Sequence, residues 1–309
     1  MLDTVNFWLP LDLSCDREKL RIIKDFDNIR HYINYRGESC YRVSHLNYNI
    51  KVSNSGIYFN GSLSKYFFGH NFYALTISQT IEALNRLEDE VHLSLDDAKI
   101  MRLDTSNNLI MSRRPEAYFQ CLGGAKYYER YQEGGSLYYS TKQKQIVFYD
   151  KVKEATSKKV SIPSGLRNSN LLRYEVRLKK RIAKQLQMNT VHISDLRNVN
   201  FHNRLIKFRT NEYQKIKLRK IPLNVDEIHN PRDLFNQLLL FGIHCIGEDE
   251  FLTMIDNLKY ICPNMPPEYR SRIKRKYLTI CDNQRYNKES QLANELDIKM
   301  KESFLPISI

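Results

Sequence analysis

The sequence predicts an α+β fold: an antiparallel sheet with helices packed on one face, followed by a mainly helical C-terminal region. Two observations carry that reading. Short runs of alternating apolar and polar residues fill the first half, joined in pairs by turn-forming residues. After about Ser194 the strand signal fades, and apolar residues recur at helical spacing instead. At 309 residues the chain is long enough to bury a substantial core.

The opening run Thr4–Leu9 reads as a strand. Tyr48–Ser53 and Gly56–Phe59 alternate in the same way, with Asn54-Ser55-Gly56 as the hairpin turn between them. Tyr66–Phe68 reads as a further strand ending at Gly69. Ile77, Ile81, Leu84 and Val91 predict a helix from Ile77 to about Leu93, capped by Thr76 or Ser78. A strand then covers Lys99–Thr105 and continues as strand or loop to Met111, and Pro115 opens a short helix to about Leu122. Gly134-Gly135 introduces Ser136–Ser140, which turns at Thr141–Lys144 into Gln145–Lys151. Residues 153–170, rich in Lys, Ser and Asn, read as a mobile basic loop. Leu171–Lys179 is a strand feeding a helix from Lys180 to about Gln187. Pro231–Phe241, Glu248–Leu258 and Pro267–Ile280 read as helices, which suggests domains of 1–195 and 196–309.

Lys plus Arg number 48 against 35 Asp plus Glu, a net charge of +13 that points to a polyanion such as nucleic acid. Basic clusters at Lys151–Lys159, Arg177–Lys184, Lys215–Lys220 and Arg270–Lys276 are candidate phosphate contacts. No apolar run approaches the ~20 residues of a membrane span, so no membrane partner is expected. The first ten residues lack the regions of a signal peptide, which predicts a cytoplasmic protein. Cys15, Cys40, Cys121, Cys245, Cys262 and Cys281 are scattered, a pattern that speaks against a zinc site or a disulfide framework.

Leu172–Lys179 carries the most chemistry. Leu172, Tyr174, Val176 and Leu178 share one face; Arg173, Glu175, Arg177 and Lys179 share the other, with Lys180 just beyond. A carboxylate among cations suits a divalent metal working on a phosphodiester. Arg102 and Asp104 repeat the pattern on another strand, so Asp104 and Glu175 on neighbouring strands would chelate one Mg2+ or Mn2+. His70, after Gly69, is a candidate third ligand. Tyr149 and Lys151 share a face of their strand: a phenol beside an ammonium can attack a phosphodiester, the cation favouring the phenolate. Tyr138 and Tyr139 on the partner strand are rivals.

Five motifs occur in order: Leu9-Pro10, Gly69-His70-Asn71, Arg102-Leu103-Asp104, Tyr149-Asp150-Lys151 and Leu172 to Lys179. Over residues 1–190 the chain thereby resembles the gene II/gene X replication initiators of filamentous phages, a family with related phage and plasmid Rep proteins. The resemblance implies a Rep/relaxase-like nuclease core. It implies an enzyme that nicks one strand of origin DNA, starts rolling-circle synthesis in the host cytoplasm and rejoins the displaced strand. It places the nucleophile, which becomes joined to the 5′ phosphate, at Tyr149 with Lys151 beside it. It puts the family's recurring acids at Asp104 and Glu175 and its histidine at His70. Read from their charge and position, Arg102, Arg173, Arg177, Lys179 and Lys180 are candidate DNA contacts. The paired His-hydrophobe-His motif of other Rep nucleases is absent from the sequence. Origin DNA, duplex and single-stranded, is the implied partner, with a host helicase or polymerase as further candidates. The alternatives are a non-catalytic origin binder or repressor, which needs no acids facing a tyrosine, and a tyrosine recombinase, which the β-rich first half opposes.

Overall fold

The computed structural model describes residues 2–218, 228–281 and 291–305. Its strands are β1 (Leu2–Pro10), β2 (Arg30–Ile33), β3 (Ser39–His45), β4 (Tyr48–Ser53), β5 (Gly56–Gly61), β6 (Lys99–Met111), β7 (Leu122–Ala125), β8 (Glu129–Glu133), β9 (Ser136–Ser140), β10 (Lys144–Asp150), β11 (Asn170–Leu178) and β12 (Ile216–Leu218). Its helices are α1 (Asp16–Ile22), α2 (Leu63–Phe68), α3 (Ile77–Val91), α4 (Lys151–Ser157), α5 (Ile182–Gln185), α6 (Val199–Gln214), α7 (Pro231–Ile246), α8 (Glu248–Ile261), α9 (Pro267–Cys281) and α10 (Gln291–Glu302). The fold is α+β, with a mainly helical C-terminal region after Val199.

The chain divides into two compact units. The first takes residues up to Glu116, Gly124–Ile216 and the chain from Lys299 on; the expected boundary at 195/196 falls inside it. It holds a ten-stranded sheet in the order β2-β3-β4-β5-β1-β6-β11-β10-β9-β8, built from antiparallel pairs. Sequence-adjacent hairpins form both ends of the sheet. At its centre β6 lies between β1 and β11, so residues about 100 and about 70 apart in sequence meet there. One face carries the main core: Val5 and Phe7 of β1, Ile50, Phe59 and Leu103 pack against Leu84 and Leu87 of α3. Thr76 caps α3 reciprocally with Gln79, and His92 ends it in a left-handed conformation.

Several elements differ from the sequence reading. Residues 66–68 are helical because Ser62 accepts from the Lys65 amide at one end of α2 and Gly69 closes the other at φ 76°. The strand expected to reach Lys151 stops at Asp150, whose side chain accepts from the Lys153 amide and starts α4. Residues 153–170 therefore begin as helix. The helix expected over 180–187 shrinks to α5, since Arg181 takes a left-handed conformation at φ 51°. The edge strands β2 and β8 show no apolar alternation because neither has a fully buried residue.

The second unit comprises Ala117–Gly123 and Lys217–Ile298. Leu240 and Ile243 of α7, Phe251 and Ile255 of α8, and Tyr277 and Ile280 of α9 form its core. Asn230 caps α7, with Pro231 at the first helical position, where its missing N–H costs nothing. Of the basic cluster at 215–220, Arg219 and Lys220 lie outside the described residues.

Candidate active site

Strand register turns the sequence alternation into a grid on the second face of the sheet. Reading from β6 across β11 and β10 to β9 and β8, one row is Asp104, Arg177, Gln145, Ser140 and Glu129. The next is Ser106, Glu175, Val147, Tyr138 and Tyr131. The third is Asn108, Arg173, Tyr149, Ser136 and Glu133. Residues two apart on a strand share a face, so all three rows project to the same side.

Glu175 is the hub. Its Oε1 accepts from Arg177 Nε at 2.7 Å; its Oε2 accepts from Arg173 Nε at 3.2 Å and from the Tyr149 hydroxyl at 3.1 Å. Arg102 grips Asp104 through Nε at 3.0 Å and Nη2 at 2.6 Å. Burial and the neighbouring Glu175 push the Asp104 carboxyl up to about 6, against the pull of Arg102 and Arg177. Burial also raises the Tyr149 phenol well above its ordinary value, more than Arg173 lowers it. Tyr149 is therefore a neutral phenol at neutral pH, and it needs a base to become a nucleophile.

The predicted residues separate into groups. Tyr149, Glu175 and Asp104 share one face, the first two in direct contact. Arg102 and Arg177 remain partly exposed beside them, and Lys179 and Lys180 are exposed at the end of β11. Arg173 is different from expectation. It is 1% exposed and bonds Asp3, Glu175, the Asn71 carbonyl and Asn108, so it is a buried tie between strands and has no free donor face for DNA. Lys151 is also buried: Nζ donates to Glu154 at 2.7 Å and lies over the Phe72 ring, and burial followed by Arg173 lowers its pKa. The cation acting on Tyr149 is Arg173, in the place expected for Lys151. His70 packs among Phe68, Phe72 and Tyr73. Burial lowers its pKa, and it does not join Asp104 and Glu175, since no three His, Cys, Asp or Glu side chains among the described residues form a group able to hold an ion.

Of the rival tyrosines, Tyr139 points into the opposite face at 0% exposure, against Phe148. Tyr138 shares the face of Tyr149 and is half-buried. Sequence reasoning missed Asp3, 4% exposed, whose carboxylate accepts from Ser62, Asn71 and Arg173. An acid one residue inside an apolar opening strand is the signal that would have found it. A small apolar cluster of Phe72, Ala155 and Leu171 borders this end of the grid, and a cavity of about 290 Å3 opens beside it among Ser64, Asn71, Ser106, Asn108 and Arg173.

The family model for the N-terminal region of the gene II replication-associated protein matches residues 1–197. The chain belongs to that family. This is the filamentous-phage gene II initiator family that the sequence resembles, so the protein is a phage replication-associated protein of the gene II type. No curated protein matches the chain. The family region contains every residue of the grid, and among the described residues no helix is long and apolar enough to cross a membrane.

For a divalent cation the site of this gene II-type protein offers Asp104 and Glu175, two hard oxygen ligands on adjacent strands. Magnesium commonly takes one or two carboxylates and fills its remaining positions with water and substrate phosphates. An acid held protonated to about 6 by burial and a like-charged neighbour is a place where added positive charge is favourable. Two carboxylates match the donor number and type that Mg2+ or Mn2+ takes, without His70.

Proposed function

We propose that this chain is a rolling-circle initiator that nicks one strand of origin DNA and rejoins it, with Tyr149 as nucleophile and Glu175 as its general base. The observation carrying this is the hydrogen bond from the Tyr149 hydroxyl to Glu175 Oε2 at 3.1 Å, on the face that also holds Asp104 and the arginines. A nucleophile already bonded to its base, with the base oriented by further groups, is the arrangement covalent catalysis uses.

In the reaction, Tyr149 Oη attacks the scissile phosphorus while its proton passes to Glu175. The bond from phosphorus to the 3′ oxygen breaks, and that oxygen leaves with a proton from solvent as a 3′ hydroxyl. The product is a 5′-phosphotyrosine. Arg177, held by Glu175 and Gln145, and Arg102, held by Asp104, place positive charge where the transition state accumulates negative charge. A bound Mg2+ or Mn2+ on Asp104 and Glu175 would supply Lewis-acid polarisation of the phosphate. Rejoining is the same exchange in reverse, so it requires no nucleotide cofactor. Tyr149 is 8% exposed, so attack requires the groups that cover it to draw back. The proposed partner is origin DNA, presented at the nick as a single strand.

The test is a labelled origin oligonucleotide incubated with Mn2+ or Mg2+ and run on a denaturing gel. Wild type forms a covalent adduct; Tyr149→Phe forms none; Glu175→Gln forms it about 10²–10⁴-fold more slowly. An adduct that persists in Tyr149→Phe and disappears in Tyr138→Phe moves the nucleophile to β9. Duplex binding without any adduct in wild type favours the non-catalytic binder.

A further inference from the structure

Beyond the nick itself, the grid has an aromatic end. Tyr131 and Tyr138 face each other across β8 and β9, their rings stacked with centroids 5.0 Å apart and planes 13° from parallel. Both are half-buried, unlike Tyr139 and Tyr174, which are sealed on the opposite face at 0% exposure. They belong to the same row as Glu175: Tyr138 stands two strands further on, about 10 Å, and Tyr131 three, about 14 Å.

The pair is also tied to the cations. Gln145 Nε2 donates to the Tyr131 hydroxyl at 3.2 Å and to Ser140 Oγ at 2.9 Å. Gln145 Oε1 accepts from Arg177 Nη1 at 3.3 Å and Lys179 Nζ at 3.1 Å. Ring, amide and guanidinium are thus fixed relative to one another. A flat aromatic surface beside a row of cations is what single-stranded nucleic acid uses: phosphates follow the charge and a base lies on the ring.

We propose that the stacked Tyr131–Tyr138 pair is a base-stacking subsite, on which Tyr138 holds a nucleobase of the same single strand whose phosphate sits at Glu175. The inference rests on the single-strand cleavage reading above. It assigns Tyr138 a positioning role through its ring and leaves its hydroxyl unused. Its backbone stands two strands, about 10 Å, from Glu175, whereas the Tyr149 hydroxyl bonds Glu175 directly at 3.1 Å. Cross-strand pairing of the two rings also stabilises the edge hairpin, but that contribution does not discriminate between ligands.

The experiment compares binding of fluorescein-labelled dT12 with binding of a twelve-residue abasic strand of equal charge. Wild type favours dT12 by about tenfold, the scale of one stacked base. Tyr138→Leu and Tyr131→Leu lose that preference while keeping wild-type affinity for the abasic strand, which also shows that they remain folded. Tyr138→Phe keeps the preference and forms the covalent adduct. Equal affinity of wild type for the two strands, or a preference unchanged in Tyr138→Leu, overturns the subsite whatever the adduct assay gives. Loss of the adduct in Tyr138→Phe overturns it too, by making the hydroxyl the working group. An adduct that survives Tyr149→Phe, with the base preference intact, sinks the nucleophile assignment and leaves the subsite standing.

Discussion

At Glu175 two guanidiniums and a phenol share two carboxylate oxygens, and at Asp104 one guanidinium holds both. This crowding has measurable consequences at the level of single residues. Asp104 carries a folded-state pKa of about 6 against an ordinary value of 3.8. A raised acid stabilises the fold fully below about pH 4, and that contribution disappears as pH climbs through 6. The stability of wild type relative to Asp104→Asn should therefore fall by roughly 3 kcal/mol between pH 4 and pH 7.5 in urea titrations; a flat difference would mean that Asp104 is not buried as described. Arg173 makes the opposite case, a cation whose removal strands Asp3 and Glu175. Arg173→Met is expected to cost about 3–5 kcal/mol, and Asp3→Asn in the same chain to recover part of it. If the single variant unfolds at the wild-type urea midpoint, the buried tie is absent.

Among the elements, the motifs of the sequence owe their alignment to strand ends and turns. Gly69 closes α2 and delivers Asn71 to the sheet, where its carbonyl accepts from Arg173. The Asp150 cap ends β10 just after Tyr149, which turns Lys151 away into α4. Gly56 has φ 130°, and a Cβ there would stand 2.1 Å from the Leu9 carbonyl oxygen. Gly56→Ala should thus disturb the β4–β5 turn and the end of β1 together, at a cost of at least roughly 1–3 kcal/mol. Thermal melting gives the check: an unchanged midpoint would refute the close approach. Strands β1, β4, β5, β9 and β10 and the α3 pattern were legible because each buries one face; β3 was not, its alternation broken by the successive buried residues Cys40 and Tyr41. The edges β2 and β8 were not, since they bury little and carry no pattern.

For the molecule as a whole, the sheet unit is assembled from three separated stretches of chain. Its last piece returns from the far end of the sequence: Ser303 carbonyl accepts from Asn107 Nδ2, and Phe304 packs on Tyr174 and Tyr213 beneath the Arg209 guanidinium. Burial pushes Arg209 down to about 10, so it too depends on these neighbours for its place. Phe304→Ala should lower the stability of the sheet unit by about 3–5 kcal/mol, read as faster proteolysis within residues 1–216. Wild-type resistance in that variant would show that the returning segment is dispensable. No local pattern announces such a return, because it is a pairing over about 200 residues.

The order of residues determined which side chains can share a face: alternation with period two placed Arg173, Glu175 and Arg177 together, and likewise Arg102 with Asp104, before any strand was paired. The family followed from the same motifs, and residues 1–197 match its model. Tertiary structure alone decided the register between strands, which sets Tyr149 on Glu175 and Tyr138 one row over, seals Arg173 and Lys151, and leaves His70 among aromatic rings. The reason is physical: facing within a strand is fixed by local backbone geometry, whereas pairing and burial depend on which distant segments exclude water together.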